Sequence, residues 1–202
     1  MPDSTSPRTT VKRLPDRAAY DRETVNAILD EALICHVGFD DGEGPIVIPT
    51  IHARVGNTLY LHGSAASRML RTIGRGVPMC VTVTLLDGIV LAKSHFHSSM
   101  NYRSAVVVGR GQVVDDAAEK DTAFAAIAEK MAPGRWDGAR RPNDNERRAT
   151  LVVAIPIVEA SAKIRRGGPD DDPEDLMLDF WAGVIPIATN RGPPEEYVAD
   201  PL

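Results

Sequence analysis

A short stretch in the first half of the chain combines hydroxyl side chains with a positive charge. Ser64, Ser67 and Arg68 follow an apolar run that predicts a strand. We interpret Gly63 as the turn residue and Ser64 as the N-cap of a helix over residues 65–74, whose first amides lack helical partners. Such a helix start attracts anions when a charged donor stands beside it. The pattern predicts either an anion site or a capped surface helix, and taken alone it favours the capped helix.

A second polar stretch contains His95 and His97. If the preceding strand continues through them, both imidazoles share one face and could form a metal-binding pair. No third ligand stands at a recognisable spacing, so the pattern favours exposed or hydrogen-bonded histidines. Tyr102 and Ser104 follow in the same stretch and could either line a ligand pocket or lie in an ordinary loop.

Side-chain nucleophiles for hydrolysis are not recognisable in this sequence. The other three histidines fall in different predicted strands, and no serine stands in a nucleophile-elbow motif. The two cysteines, Cys35 and Cys80, fit neither a catalytic context nor a metal-ligand spacing, and buried free thiols are favoured over a disulfide. We therefore predict no catalytic side-chain nucleophile and no metal site.

Composition excludes several classes of function. The 202 residues are 43% hydrophobic, which is enough to bury a core, and the formal net charge is −5. This mild acidity argues against a nucleic-acid partner, because phosphate binding needs clustered positive charge. The N-terminus lacks the apolar segment of a signal peptide, and no apolar run reaches the ~18 residues of a membrane span. We expect a soluble, cytoplasmic protein with no membrane contact.

The elements that must position these residues are mostly short strands. Residues 41–44, 56–57 and 87–88 carry hairpin-turn signals rich in Gly, Asn and Asp. The predicted strands are 34–39, 45–55, 58–62, 81–86, 89–94, 104–114 and 150–164, and the predicted helices are 21–34, 65–74, 115–131 and 173–180. Two-residue turns favour antiparallel pairing, so we predict a mainly β fold that forms a small closed or split barrel.

Three motifs together resemble one known family. They are Pro49-Thr50-Ile51-His52, the stretch from Leu59 to Ser64 with Ser67-Arg68, and Asn101-Tyr102-Arg103-Ser104 ahead of Gly109. The combination is similar to the flavin-binding proteins related to pyridoxamine 5'-phosphate oxidase, in the branch that includes nitroimidazole-resistance-type proteins. The resemblance covers residues 20–185, approximately.

The resemblance implies a fold and an assembly. The fold is a split β-barrel of about six antiparallel strands, here over residues 16–185, between a flexible N-terminal arm (1–15) and a Pro-rich C-terminal tail (186–202). The assembly is a homodimer that holds FMN at the subunit interface and acts on a small-molecule substrate.

The resemblance also implies which residues bind FMN. Ser67 and Arg68 correspond to a pair that grips the phosphate, and Trp181 to an aromatic residue near the flavin. The full implied set is Ile48, Pro49, Thr50, His62, Gly63, Ser64, Ser67, Arg68, Tyr102, Ser104 and Trp181.

Two departures from the family pattern narrow the expected activity. Met69 stands where the oxidases have a lysine, although Arg71 could compensate for the missing charge. The C-terminal Arg and His motif that recognises the vitamin phosphate is also absent, which argues against a true pyridoxamine phosphate oxidase.

Two functions of different class follow from the resemblance. The first is an FMN-dependent oxidoreductase that moves hydride from a reduced nicotinamide or a small substrate to an acceptor, with His52, His62 and Tyr102 as conceivable proton donors. The alternative is a non-catalytic FMN- or haem-binding carrier or sensor, in which His95 or His97 would ligate the haem. A dimeric scaffold with a vestigial pocket is the third possibility.

Overall fold

A computed structural model describes residues 6–197 as an assembly of antiparallel strands with four α-helices among these residues. The strands are β1 (Ala18–Ala19), β2 (Ile34–Asp40), β3 (Pro45–Ile51), β4 (Ala53–Val55), β5 (Thr58–Ser64), β6 (Pro78–Leu91), β7 (Ser99–Arg110), β8 (Gln112–Val113), β9 (Thr150–Pro156), β10 (Glu159–Arg165) and β11 (Gly183–Pro186). The helices are α1 (Arg22–Glu31), α2 (Arg68–Ile73), α3 (Ala117–Met131) and α4 (Asp144–Ala149). None of the helices in residues 6–197 is long and apolar enough to cross a membrane.

Two antiparallel sheets contain all of these strands. The larger has the order β1-β10-β7-β6-β2-β3, with β11 paired to β6, and the smaller has the order β4-β5-β9-β8. The sheets do not close into one continuous cylinder, so the predicted mainly β, split-barrel fold is confirmed. At the end of the larger sheet, β3 is an edge strand that carries Pro45 and Pro49.

The chain forms two compact units. The first comprises the residues up to Leu85 together with Tyr102–Arg165, and the second comprises Leu86–Asn101 together with the residues from Arg166 onward. The predicted arm, barrel and tail boundaries are a different division of the chain and stay a prediction.

The core of the first unit forms where helices α1 and α2 cover apolar strand faces. Asp21 caps α1 by accepting a 2.8 Å hydrogen bond from the amide of Thr24, and the apolar positions of the helix, Val25, Ile28 and Leu29, are buried. Leu59 and Leu61 of β5 join the same cluster, together with Leu70 and Ile73 of α2.

The opposite face of β5 packs against α3. Tyr60 belongs to a second buried cluster with Phe124, and its hydroxyl donates to Glu119 at 3.0 Å. This alternation along β5 follows from the two-residue period of a strand. Leu61 and His62 therefore face different helices.

Two hairpin predictions are confirmed and one is wrong. Gly42, Gly44 and Gly56 adopt positive φ angles in the predicted turns at 41–44 and 56–57. Residues 87–88 instead continue β6 without a turn, and Gly88 pairs with Pro186. A Cβ at Gly88 would lie 3.0 Å from Val184 Cγ1, so this glycine permits a close approach of β11.

Several other predicted boundaries are corrected. The strand predicted over 45–55 is divided at His52 into β3 and β4, which lie in different sheets, and the strand predicted over 150–164 is divided after Pro156 into β9 and β10. The helix predicted over 173–180 is a series of turns. The helix α4 was not predicted, although Asn143 and Glu146 form a capping box.

Candidate functional site

The start of α2 differs from its prediction by several residues. Ser64 is the last residue of β5, where it pairs with Thr150, and the helix begins only at Arg68. The N-cap is Ser67, whose Oγ accepts from the amide of Leu70 at 3.3 Å. The Oγ of Ser64 accepts from the amide of Ala66 at 3.2 Å and so stabilises the connecting turn.

Gly63 does not form the predicted turn. It lies inside β5 opposite Leu151 and has no positive φ angle. A Cβ at this position would lie 3.1 Å from Leu70 Cδ1, so the glycine lets α2 pack closely on the strand.

Arg68 extends into solvent from the first turn of α2. Its side chain is 64% exposed, and Nη1 lies 3.3 Å from Asp41 Oδ2 in the turn between β2 and β3. An ion pair this exposed on one side is weak. The guanidinium is therefore available to an anion that competes with Asp41. The sequence did not indicate the Asp41 pair, because Asp41 and Arg68 are far apart in the chain.

Three further predicted residues lie on the edge strand β3. Ile48 and Thr50 are half-buried and Pro49 is exposed, and they stand opposite Val37, Cys35 and His36 of β2, respectively. Both Asp41 and these residues thus belong to the β2–β3 hairpin. A shared role of Ile48, Pro49 and Thr50 with Arg68 in cofactor binding is a proposal.

His62 projects toward α3. Its ring lies 6.5 Å from the ring of Phe124 in an edge-to-face arrangement, and Nδ1 is buried without a hydrogen-bond partner in the described part of the chain. Burial lowers the pKa of His62, so the imidazole is neutral near pH 7. A neutral imidazole can ligate a metal or accept a hydrogen bond.

A cavity of about 210 Å³ opens beside His62. Its apolar wall comes from α3 and the segment that follows it, and includes Phe124, Ile127, Met131 and Trp136. Arg135 and Arg140, in the segment between α3 and α4, also line it. Alternation along β5 could have placed His62 on the α3 face, but nothing in the sequence indicates a cavity there.

His52, a conceivable proton donor, is fully buried. Its Nε2 lies 2.8 Å from the carbonyl oxygen of Leu29, and Lys130 Nζ lies 3.2 Å from the same nitrogen. Burial and the Lys130 charge lower the pKa of His52 to about 4, and burial lowers the pKa of Lys130 to about 8. A histidine that is neutral and enclosed in this way stabilises the fold rather than exchanging protons with a ligand.

The two predicted residues of β7 belong to the larger sheet. Tyr102 pairs with Arg165, and the hydroxyl of Ser104 donates to the carbonyl oxygen of Lys163 at 3.2 Å. Both residues are half-buried. The Ser104 hydroxyl thus already has a partner within the sheet.

The remaining predicted residues lie in the second unit. His95 and His97 stand in a short 3-10 helix, not on a strand, because the chain leaves β6 at Leu91. His97 Nε2 lies 3.1 Å from Asp172 Oδ2, and Asp175 joins them in a group whose ligand atoms lie within 4.8 Å of one another. Trp181 is 64% exposed.

The antiparallel split barrel defines a class of fold, and comparison with known proteins identifies the family. Residues 21–164 match the family model described as pyridoxamine 5'-phosphate oxidase, so the chain belongs to this family. No curated protein sequence matches the chain.

Solved structures include two similar proteins of nearly the same length. The flavocytochrome Anf3 from Azotobacter vinelandii is 41% identical, with a TM-score of 0.90 over 96% of this chain and 91% of that chain. The FAD and heme binding protein from Mycobacterium smegmatis is 36% identical, with a TM-score of 0.86 over 90% and 89% of the two chains.

A more distant structure matches the branch that the sequence motifs indicate. It is a candidate 5-nitroimidazole antibiotic resistance protein from Bacteroides thetaiotaomicron, 26% identical, with a TM-score of 0.61 over 73% of this chain and 86% of that chain.

Proposed function

We propose that this protein is a flavin-dependent oxidoreductase that also carries haem. The similarity that supports this most strongly is that to the flavocytochrome, which extends over 96% of the chain at 41% identity. A second similar protein is named for binding both FAD and heme. The family match alone would support flavin binding without haem.

The residues at the start of α2 fit the phosphate of a flavin nucleotide. Arg68 offers an exposed guanidinium whose protein partner, Asp41, is held only at 3.3 Å. Charge-assisted contacts to phosphate are stronger than such an exposed pair, so a phosphate can displace the carboxylate. Ser67 stands directly before Arg68, and Met69 is buried, so the phosphate charge is balanced mainly by Arg68.

The proposal has two forms, in which the bound flavin is either FMN or FAD. The resemblance seen in the sequence implies FMN, whereas the name of the protein from Mycobacterium smegmatis supports FAD. We favour FAD, since that relative is similar over nearly its whole length. Heat release of the cofactor followed by mass spectrometry distinguishes FAD from FMN directly.

The bound flavin would supply the redox chemistry by accepting a hydride from a reduced nicotinamide or small substrate and passing its electrons to an acceptor. The chain's own residues hold the phosphate and shape the space beside the ring. None of them has to act as a nucleophile, which agrees with the lack of a recognisable nucleophile in the sequence. The acceptor is proposed to be a small molecule such as a nitro- or quinone-like compound.

A homodimer is proposed as the working assembly. The outward face of the β2–β3 hairpin exposes Ile34 (50%) and Val47 (63%) on the larger sheet. Exposed apolar side chains on one sheet face are typical of a surface that another chain covers. The implied flavin-contacting residues Ile48 to Thr50 belong to the same hairpin.

An absorption spectrum of the purified protein tests the proposal. We expect flavin bands and a Soret band, and anaerobic addition of NADPH or NADH should bleach the flavin bands. A flavin that stays oxidised with both nicotinamides would support the non-catalytic carrier instead. A protein that remains colourless after incubation with FMN, FAD and haemin would contradict cofactor binding altogether.

A further inference from the structure

The haem part of the proposed function needs an iron ligand, and the described residues contain five histidines with different surroundings. His36 and His95 are exposed, and His97 is paired with Asp172. His52 is completely buried against Leu29 and Lys130, with no space for a ligand. His62 has none of these arrangements and lines a cavity.

The nitrogen atoms of His62 are not occupied by the protein fold. Its Nδ1 is enclosed without a partner among residues 6–197, and Phe124 holds the ring by an edge-to-face contact. With Nδ1 enclosed, Nε2 is the nitrogen that a ligand in the cavity can reach. The ring orientation is therefore set by packing rather than by the hydrogen bond that usually orients a metal-bound imidazole.

The walls of the cavity suit a flat apolar ring system with acidic groups. Ile127, Met131 and Trp136 provide apolar contact, and Arg135 and Arg140 provide positive charge for carboxylates. Arg140 is already paired with Glu146 at 2.7 Å. Arg135 has no ion pair in the described part of the chain, so it is the more available of the two.

We infer that His62 would ligate the haem iron, with the haem held in the cavity between β5, α3 and the segment that links α3 to α4. This inference rests on the proposed function and replaces His95 and His97 as the haem-ligand candidates. The cavity of about 210 Å³ is smaller than the ~300–1,000 Å³ typical of ligand pockets. Haem binding therefore requires the cavity to widen.

Haemin titration of the full-length protein, stripped of endogenous haem, tests the assignment. We expect a Soret band in the wild type and a dissociation constant at least about tenfold higher in His62→Ala, as for the loss of a metal ligand or its support. The matched control is His97→Ala, which should bind haemin like the wild type. In His62→Gly, added imidazole should restore the Soret position of the wild type.

A second variant separates ligation from folding. Ala128 lines the cavity on α3, and Ala128→Leu fills the cavity without removing the imidazole. We expect weaker haemin binding with an unchanged far-ultraviolet circular dichroism spectrum. In a Trp181→Phe background, the fluorescence of Trp136 should be quenched as haemin binds, because Trp136 lines the cavity.

The outcomes distinguish this inference from the proposed function. Wild-type haemin binding that persists in both His62→Ala and Ala128→Leu overturns the His62 assignment and leaves the proposed function standing. Haemin binding that is lost in His97→Ala and kept in the His62 and Ala128 variants also overturns the His62 assignment and leaves the proposed function standing. A wild type that binds flavin but not haemin rejects the His62 assignment together with the haem part of the proposed function, and one that binds neither rejects the flavin part as well.

Discussion

At the scale of single residues, the fully buried His52 and the half-buried His62 have different consequences. His52 meets a carbonyl oxygen and an ammonium group within 3.2 Å, whereas His62 meets an aromatic edge and a cavity. The first arrangement uses the imidazole within the fold, and the second leaves it open to a ligand. Sequence alone placed both on strands and could not separate them, because the partners come from α1 and α3.

His52 should make stability depend on pH. Its pKa falls from 6.5 in the unfolded chain to about 4 in the folded protein, so between these values the unfolded state binds more protons. The contribution of His52 to the free energy of unfolding is then fully present above pH 6.5. It decreases by about 3 kcal/mol as the pH falls to 4. Urea unfolding at pH 7, 5.5 and 4.5 measures the change.

The substitution His52→Gln removes the titrating group. The free energy of unfolding of this variant should therefore decrease less than that of the wild type over the same pH range. The exposed His36 offers the control His36→Gln, which should keep the wild-type pH dependence. If the free energy of unfolding changed equally with pH in all three proteins, His52 would not titrate as described.

Arg68 should determine how tightly the flavin phosphate is held. We expect Arg68→Ala to weaken flavin binding by about 1.5–3 kcal/mol, because a charged contact to phosphate is lost. Asp41→Asn should strengthen binding, since it removes the carboxylate that competes for Arg68. Flavin fluorescence titration measures both, with the exposed Arg75→Ala as the control. Unchanged affinity in Arg68→Ala would reject the phosphate role.

At the scale of elements, close backbone approach determines where α2 lies. Gly111, between β7 and β8, lies beside the end of this helix: an added Cβ would come 2.6 Å from Val153 Cγ1 and 3.0 Å from the carbonyl oxygen of Ile73. The helix therefore packs on the smaller sheet at a distance that only glycine allows.

Gly111→Ala should destabilise the fold by about 1–3 kcal/mol, because the backbone of α2 has to move to relieve the overlap. The control is Gly192→Ala, where a Cβ would have no neighbour within 4 Å. Thermal unfolding of both variants gives the comparison. A melting temperature for Gly111→Ala equal to that of the wild type would contradict this packing.

The elements also show which parts of the fold the sequence could predict. Local signals were sufficient at the 41–44 and 56–57 turns and for the apolar face of α1, where the residues concerned interact with near neighbours. They failed at Gly88, whose neighbour β11 is distant in sequence, and at Gly63, whose small size serves α2 packing. For the candidate site, Ser67 and Arg68 were found by motif, but Asp41 and the cavity beside His62 depend on tertiary contacts.

At the scale of the whole molecule, the β2–β3 hairpin carries both the proposed subunit contact and part of the proposed flavin site. Val47→Glu places a charge in that contact and should shift the protein from dimer to monomer and lower its flavin content together. The control is Val158→Glu, since Val158 is exposed to a similar degree, 60% against 63%. Light scattering after size-exclusion chromatography gives the mass, and a dimeric Val47→Glu protein would contradict this interface.

The prolines of the edge strand β3 have a further consequence for assembly. Pro45 and Pro49 remove two backbone N–H groups from the strand at the end of the larger sheet. A strand from another chain would find an incomplete row of backbone N–H donors along β3. The addition of strands from further chains to this sheet edge is therefore unfavourable. The same hairpin that offers apolar side chains on its face thus resists fibril formation along its edge, which directs self-association toward a closed complex of defined size.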